Sequence, residues 1–512
     1  DAVEAVFASS YAALPESEQQ LFRLLGLIPG PDFDATAVAW LLGCDRRTAA
    51  YRLEALLDHS LLLEPSFGRY RFHDLVRLFA RSAAPPAGDT ADAADAAQGR
   101  LIDYYLHAAG TANERITRRS LPTPPLPPVP SPLPASEPGD FEAGLAWLRG
   151  DWENLWACAA DPRTPRSRPG ALTVLSPVLA TYMEREGLWA QALTLHGRAL
   201  DDARARQDAA GEGRSLSELG RVRLATGDAT AACELHEQAL SRHRSLGDRL
   251  GEAESLWELG RSRHMRNEHE AAGALHREAL ALFQELGDLR GEANALWALG
   301  RALRMQEDTE GANTMAEQAL VLYRRLDDRL GTTNVLWDLG RLAEARGDFP
   351  ASARLLAQAL DSYRVLGSRV GEANTLHALG RLARRRERWD EAVERLEASL
   401  RIYDELHELH GRTLTRHDLA LVRWAQDDLA DATRLLTLVS DTYREHGEPV
   451  GAARSLHELG QVRRAAHDYA GSARALSESV TLYRSLDNAE RTEAVLQDAR
   501  AYATEAAAAF PT

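Results

Sequence analysis

Seven glycines, Gly211, Gly251, Gly291, Gly331, Gly371, Gly411 and Gly451, stand 40 residues apart, and each opens a block of nearly the same sequence. Three of the blocks, those of Gly251, Gly291 and Gly371, read Gly-Glu-Ala-x-x-Leu-x-x-Leu-Gly-Arg. A fixed period of this length means that each block is one small supersecondary element that cannot cover its own apolar face, so neighbours stack into a continuous core. Such a stack escapes the size limit that splits compact domains, which suits a chain of 512 residues. What it offers to other molecules is a long repeated surface, and that points to binding.

Within one block, Gly251 to Arg290, apolar residues recur at spacings of three, four or seven in two stretches: Leu256, Leu259 and Gly260, then Ala272, Leu275, Ala279, Leu280 and Phe283. That is the periodicity of amphipathic helices. Breaks fall at Gly227-Asp228, Gly347-Asp348, Leu246-Gly247-Asp248 and Leu286-Gly287-Asp288, where a glycine stops one helix and an aspartate caps the next. Each block therefore reads as a helical hairpin, a short helix A followed by a longer helix B. Gly220, Gly260, Gly300, Gly340, Gly380 and Gly460 in helix A and Ala232, Ala272, Ala312, Ala392 and Ala432 in helix B mark close approaches.

The Leu-Gly pair followed by spaced alanines resembles the tetratricopeptide repeat, with Leu259-Gly260, Ala272, His276 and Ala279 at the family's offsets and His276 in a place that is usually apolar. The period is longer than the family's ordinary one. A degenerate hairpin from about 170 to 210 and a final alanine-rich helix after Asn488 bring the total to about eight repeats and a cap.

Three columns of helix A repeat without belonging to the core pattern. Asn294, Asn334 and Asn374 hold one position, Trp257, Trp297, Trp337, His377 and His457 another, and Arg221, Arg261, Arg301, Arg341 and Arg381 a third. Offsets of three and seven put them on one helix face. The resemblance implies that this face lines a concave groove for an extended peptide, where Asn pairs with backbone, Trp covers an apolar side chain and Arg forks a carboxylate. Three Asn hydrogen bonds at ~0.5–1.5 kcal/mol each fall short of the ~8 kcal/mol of a micromolar complex, so Trp burial must supply the rest. The competing reading is that Arg221, Arg261 and Arg341 brace their own helices against Glu218, Glu258 and Asp338 three residues earlier, and that the Trp column is packing between helices.

Composition excludes several function classes. All 60 basic residues are Arg, and without Lys there is neither a P-loop nor a Schiff-base lysine. A net charge of −16 argues against non-specific nucleic-acid binding. Cys44, Cys158 and Cys233 are scattered, which suggests buried small hydrophobes, and His264, His269 and His276 straddle a turn, which disfavours a metal site. No nucleophile and base or carboxylate pair stands at a usable spacing, so no catalytic residue is assigned. Nothing resembles a signal peptide or membrane span, and a cytoplasmic protein is expected.

Residues 1–82 do not repeat. Helices from Glu16 to Leu25, around Trp40 and from Asp45 to His59, then a hairpin from Glu64 to Phe72, make three helices and a two-stranded wing, the order of a winged helix. Its third helix carries Arg46, Arg47 and Arg52, the candidates if the module reads DNA. The segments that follow, 83–169, read as a helical linker with a Pro-rich stretch at 121–137; the repeats then occupy 170–488 and a capping helix 489–512.

Phe72-His73-Asp74, with Leu101-Ile102-Asp103-Tyr104-Tyr105-Leu106, Ala143-Gly144-Leu145-Ala146-Trp147-Leu148 and Glu153-Asn154-Leu155, resembles the winged helix and joining helices of bacterial STAND signal-transduction ATPases of the NB-ARC type. The resemblance implies that His73 contacts an ADP phosphate in an intact parent carrying ADP or ATP, and that ligand on the repeats opens an ADP-locked state. The nucleotide-binding domain and small helical domain that precede this module in the family are absent from the sequence, so the chain is expected to be the C-terminal part of a larger protein. The expectation is an all-α chain: a winged helix, a helical linker and a right-handed α-solenoid that senses a peptide, protein or small effector and signals to its own nucleotide-binding domain. A DNA-binding regulator and a plain scaffold are the alternatives.

Overall fold

A computed structural model describes residues 2–82, 89–117, 126, 129 and 139–509. The Pro-rich stretch 121–137, apart from 126 and 129, and residues 83–88 lie outside the described residues. The rest forms two units, 1–302 and 303–512.

The first unit opens with α1 (Ala2–Ala12), which the periodicity does not reveal, and α2 (Glu16–Leu25). Strand β1 (Phe33–Asp34) leads into α3 (Ala35–Leu42), then α4 (Arg46–Asp58), β2 (Leu63–Ser66) and β3 (Arg69–Arg71). Asp34 and Asp45 start α3 and α4 by accepting the Ala37 and Thr48 amides at 2.7 and 3.0 Å. The sheet has order β1-β3-β2, all antiparallel, so the expected two-stranded hairpin gains a short third strand in which Phe33 pairs with Tyr70. Helix α5 (Asp74–Ser82) follows β3 directly.

Helices α6 (Asp89–Ile116), α7 (Phe141–Ala160) and the single turn α8 (Thr164–Ser167) come next. Helix α6 takes up the segment rich in Ala and Asp from Asp89 onward. These helices are not a loose connection. One cluster of buried side chains runs from Leu21, Phe22 and Trp40 through Tyr105 and Leu148 to Leu179 and Leu195, so the N-terminal module, α6, α7 and the first hairpin share a core. A polar network adds direction to that packing: Arg69 donates to Asp151 at 3.0 Å and pairs with Asp32, while Asn154 donates to both Asp32 and Asp151 at 2.9 and 3.1 Å. Burial pushes the Asp151 carboxyl above its ordinary range, with Arg69 opposing.

Hairpins then repeat: α9 (Ala171–Arg185) with α10 (Trp189–Ala205), α11 (Ala209–Ala225) with α12 (Ala229–Leu246), and α13 (Arg249–Met265) with α14 (His269–Leu286). Helix α15 (Leu289–Met305) carries the division between the units, and α16 (Thr309–Arg325) opens the second. The second unit continues with α17 (Arg329–Ala345) and α18 (Phe349–Val365), α19 (Arg369–Arg385) and α20 (Trp389–Glu405), α21 (Leu409–Ala425) and α22 (Leu429–Glu445), α23 (Pro449–Ala465) and α24 (Tyr469–Ser485), and it ends in α25 (Ala489–Ala509). Helix A matches helix B in length to within one residue, because the cap sits three residues before the block glycine: Asp248 and Asp328 accept the Gly251 and Gly331 amides at 3.0 and 2.7 Å.

The block glycines are required by packing. A Cβ on Gly331 would lie 2.4 Å from the Tyr323 ring, and one on Gly371 2.3 Å from Tyr363, so the aromatic of each helix B lies on the backbone of the next helix A. Turns without glycine survive because Asn267 and Asp427 take the left-handed backbone instead, at φ 63° and 65°. Among the described residues no helix is long and apolar enough to cross a membrane. Cys158 and Cys233 are buried as expected for small hydrophobes, whereas Cys44 is partly exposed.

Candidate ligand surface on helix A

The 3.6-residue turn brings the three helix-A columns onto one face, and each turns out to be engaged with its neighbours. Trp257 stacks under Arg261, whose guanidinium carbon lies 5.0 Å from the ring centroid, and its indole N–H donates to the Asn294 carbonyl at 3.3 Å, one repeat on. Arg301 lies 5.5 Å over Trp297 and Arg341 5.0 Å over Trp337. Each such pair contributes about 0.5–1 kcal/mol where exposed. Trp337 also packs on Leu356 and Ala378, and its buried Nε1 finds no hydrogen-bond partner among the described residues.

The asparagines face the same way, with their acceptors in use. Tyr363 donates to Asn334 Oδ1 and Tyr403 to Asn374 Oδ1, both at 2.6 Å, across the hairpin from helix B. Pairing with a peptide backbone through both halves of the amide, as the residue type allows, would need those tyrosines to give way.

The arginines reach farther than their own helices. Arg261 does take Glu258 at 2.9 Å, three residues back. Arg221, however, stands half-buried among Glu184 at 3.3 Å, Glu218 at 3.9 Å and Glu258, so it staples three consecutive A helices. Burial disfavours its charge, and the carboxylates of Glu258, Glu184 and Glu218 more than restore it. In the second unit Arg381 approaches the buried Glu344 at 3.6 Å. Arg341 is pushed down to about 10, first by burial and then by Arg304 and Arg381, with Asp338 and Glu344 opposing.

The Trp position changes character along the chain. His377 meets Asp418 at 2.7 Å and His457 meets Asp498 at 2.6 Å, and His417 meets Glu458 in the same register, 41 residues on each time. His417 and the three acids are functional-looking residues that the sequence reading passes over, although the 40-residue period marks His417 as a member of the column. The acids are visible only once the stacking register is known.

Helix B supplies the floor. His276, in the usually apolar place, lies buried against Gly260, and His236 against Gly220, as Leu356 does on Gly340. Burial holds both imidazoles neutral, His236 down to about 4 and His276 down to about 3. Across the α13–α14 turn the His264 and His269 rings come together, Nδ1 to Nδ1 at 3.3 Å. Among the described residues no group of three His, Cys, Asp or Glu is placed to hold a metal ion.

In the N-terminal module His73 stands exposed between β3 and α5, with Asp74 exposed beside it at the head of the helix. With no lysine in the chain and one exposed imidazole, these residues make at most one edge of a nucleotide site. Arg46 and Arg47 are exposed in the first turn of α4 and Arg52 is half-buried; Glu54 and Asp58 are exposed on the same helix.

Comparison with known proteins agrees with the repeat. The sequence model of the tetratricopeptide-repeat family matches residues 211–285, 291–364, 331–405 and 371–445, so the chain carries tetratricopeptide repeats. It is 30% identical over 271 residues to the regulatory protein AfsR of Streptomyces griseus, covering 43% of this chain and 27% of that protein. Against the regulatory protein AfsR of Streptomyces coelicolor it is 35% identical over 236 residues, 44% of this chain and 23% of that protein. The chain thus spans about a quarter of the length of these relatives. In fold it is similar to a STAND signal-transduction ATPase with a tetratricopeptide-repeat sensor from Pyrococcus horikoshii, at a TM-score of 0.64 and 14% identity, covering 98% of this chain and 67% of that one.

Proposed function

We propose that the chain is the sensing and regulatory portion of a STAND signal-transduction ATPase: the helix-A face of the repeats binds a peptide, protein or small effector in the cytoplasm, and the N-terminal winged helix passes occupancy to a nucleotide-binding domain. The observation that carries the reading is the repetition of partly exposed Asn, Trp and Arg on one face of successive A helices. The relay has a physical route in the Arg69, Asp32, Asp151 and Asn154 network and the core shared with α6 and α7, which make the module and the first hairpin move as one. The regulatory relatives and the sensor-bearing structural neighbour support the same class. His73 is then the residue offered to the nucleotide domain.

The test is capture of partners from native lysate by the parent chain and by Trp257→Ala plus Asn334→Ala. Loss of a specific partner in the variant supports the reading, and equal capture removes it. A second reading, direct DNA binding, draws on the exposed Arg46 and Arg47 at the start of α4. A mobility-shift assay separates the two: salt-sensitive, sequence-specific binding lost in Arg46→Ala plus Arg47→Ala selects DNA.

A further inference from the structure

Along the edge where each helix B turns into the next helix A, arginines and glutamates form a clamp that recurs with the repeat. Arg244 reaches Glu252 at 2.9 Å, and Arg249 holds both Glu252 at 3.0 Å and Glu285 at 2.8 Å. Farther along, Arg364 reaches Glu372 at 2.9 Å, and Arg369 holds Glu372 at 2.7 Å together with Glu405. Between these two clamps, the block of Gly331 keeps both arginines, as Arg324 and Arg329, but has Thr332 and Val365 where the two glutamates stand. Two acids are new to this edge instead: Asp327, where Gly247, Gly287 and Gly367 end a helix, and Asp361, where Ala281 and Arg401 occur. A cleft of about 430 Å³ opens here, lined by the two arginines, the two aspartates, Thr332 and Ser362, with Val365 and Leu366 beside them. Among the described residues none of the four charges has an opposite charge within ion-pair distance.

Apolar side chains stand bare on the same edge. Val365 is 80% exposed and Val370, just past the turn, 49% exposed, with Leu366 between them also exposed. The neighbouring hairpins place Glu285 and Glu405 at the position of Val365, and Arg290 and His410 at that of Val370. Exposed apolar side chains rimmed by charges that find no partner in their own chain have the make-up of a contact between proteins. The rim also says which protein. Two cations and two anions on one patch are complementary to the same patch turned by a two-fold axis, because in such a contact each residue meets in the other copy the residue that meets it in return.

We propose that this edge is an interface between two copies of the chain, with Arg324 and Arg329 of one copy against Asp327 and Asp361 of the other and Val365 near the two-fold axis. None of these residues belongs to the Asn, Trp or Arg columns of helix A, so the assignment does not rest on that face.

The experiment is sedimentation equilibrium of the full chain across the micromolar range, with variants checked as folded by circular dichroism. Thr332→Glu plus Val365→Glu restores the clamp, and Glu252, Glu285, Glu372 and Glu405 show that the repeat accommodates glutamate at both positions. The parent is expected to dimerise, and this variant to dimerise at least ten-fold more weakly. Arg324→Asp plus Arg329→Asp sets acid against acid across the axis, and Asp327→Arg plus Asp361→Arg sets base against base. Each of these two is expected to stay monomeric alone, and the two mixed are expected to pair with one another, which misfolded chains would not do. A parent that is monomeric throughout, dimerisation unchanged by the restored clamp, or swapped variants that fail to pair when mixed overturns the assignment. So does a monomeric parent that uses this edge to hold a different protein.

Discussion

Histidine occupies opposite places in the two units. In the first, His196, His236 and His276 recur at 40-residue spacing on helix B and are buried inside the hairpins. In the second, that column reads Ala316, Leu356, Leu396, Leu436 and Leu476, and the histidines stand instead on helix A at 377, 417 and 457, each against a carboxylate of the next helix A. Where helix A carries Trp257 or Trp337, the residue 41 positions on is Ala298 or Ala378. One backbone slot accepts an imidazole or an isobutyl group because the volumes are similar, and what differs is charge. The first unit holds His236 and His276 neutral, whereas the second joins its helices through ionisable pairs. The three histidine joints each match imidazole with acid, whereas the residue 41 positions on from the three tryptophans is alanine twice and Asp338 once.

The largest effect should come from breaking that match. Ala378→Asp puts a carboxylate against Trp337 and Leu356 and should cost about 3 kcal/mol or more, since a buried charge without a partner is not compensated. Adding Trp337→His should recover at least half of the loss in guanidinium unfolding. A double variant no more stable than Ala378→Asp alone breaks the rule of matched joints.

Acid should separate the two units next. The folded pKa of His236 and His276 is depressed, so the unfolded chain binds more protons below about 6.5, and stability present above that pH is lost as pH falls toward about 4 and about 3. At pH 4 each contributes a loss on the order of 3 kcal/mol. In the second unit burial would raise Asp418 and Asp498, yet hydrogen bonds from His377 and His457 hold both below the ordinary range. Their contribution is therefore kept above about pH 4 and lost only below it. Hydrogen exchange between pH 7 and 4 should show residues 209–286 losing protection before residues 369–465, and His236→Leu plus His276→Leu should erase the difference. Simultaneous loss at both places contradicts the assignment of neutral histidine to the first unit.

Smaller effects sharpen the contrast. Asp418→Asn keeps the shape of the joint and removes its charge, and should cost about 1–2 kcal/mol at neutral pH, because the pair is mostly shielded from water. Arg249→Ala removes exposed pairs to Glu252 and Glu285 and should change stability by at most about 0.5 kcal/mol, a control on the claim that joints rather than surface pairs hold the stack.

Much of this was readable in the order of residues. The period, the hairpin, the capping aspartates and the columns of helix A follow from spacing alone, because a helix turns at a fixed rate and each hairpin sees the same neighbours. What spacing does not reveal is which acid an arginine meets: Glu258 lies three residues from Arg261 and 37 from Arg221, and only the stacking register makes the second contact. The Asn column was legible as a face, while the tyrosines that occupy Asn334 and Asn374 come from helix B 29 residues later. Helix α1 escaped because its alanines and serines carry no clear apolar stripe, and the packing of α6 and α7 into the N-terminal core depends on long-range contacts such as Arg69 with Asp151.

The most direct test of helix A as the ligand face is site-specific photocrosslinking with benzoylphenylalanine placed at Ala298 or Asn374 on helix A and at Val321 on the exposed side of helix B. Adducts with a captured partner through positions 298 and 374 but not 321 are the predicted result. Adducts formed through 321, or equally through all three, would contradict it.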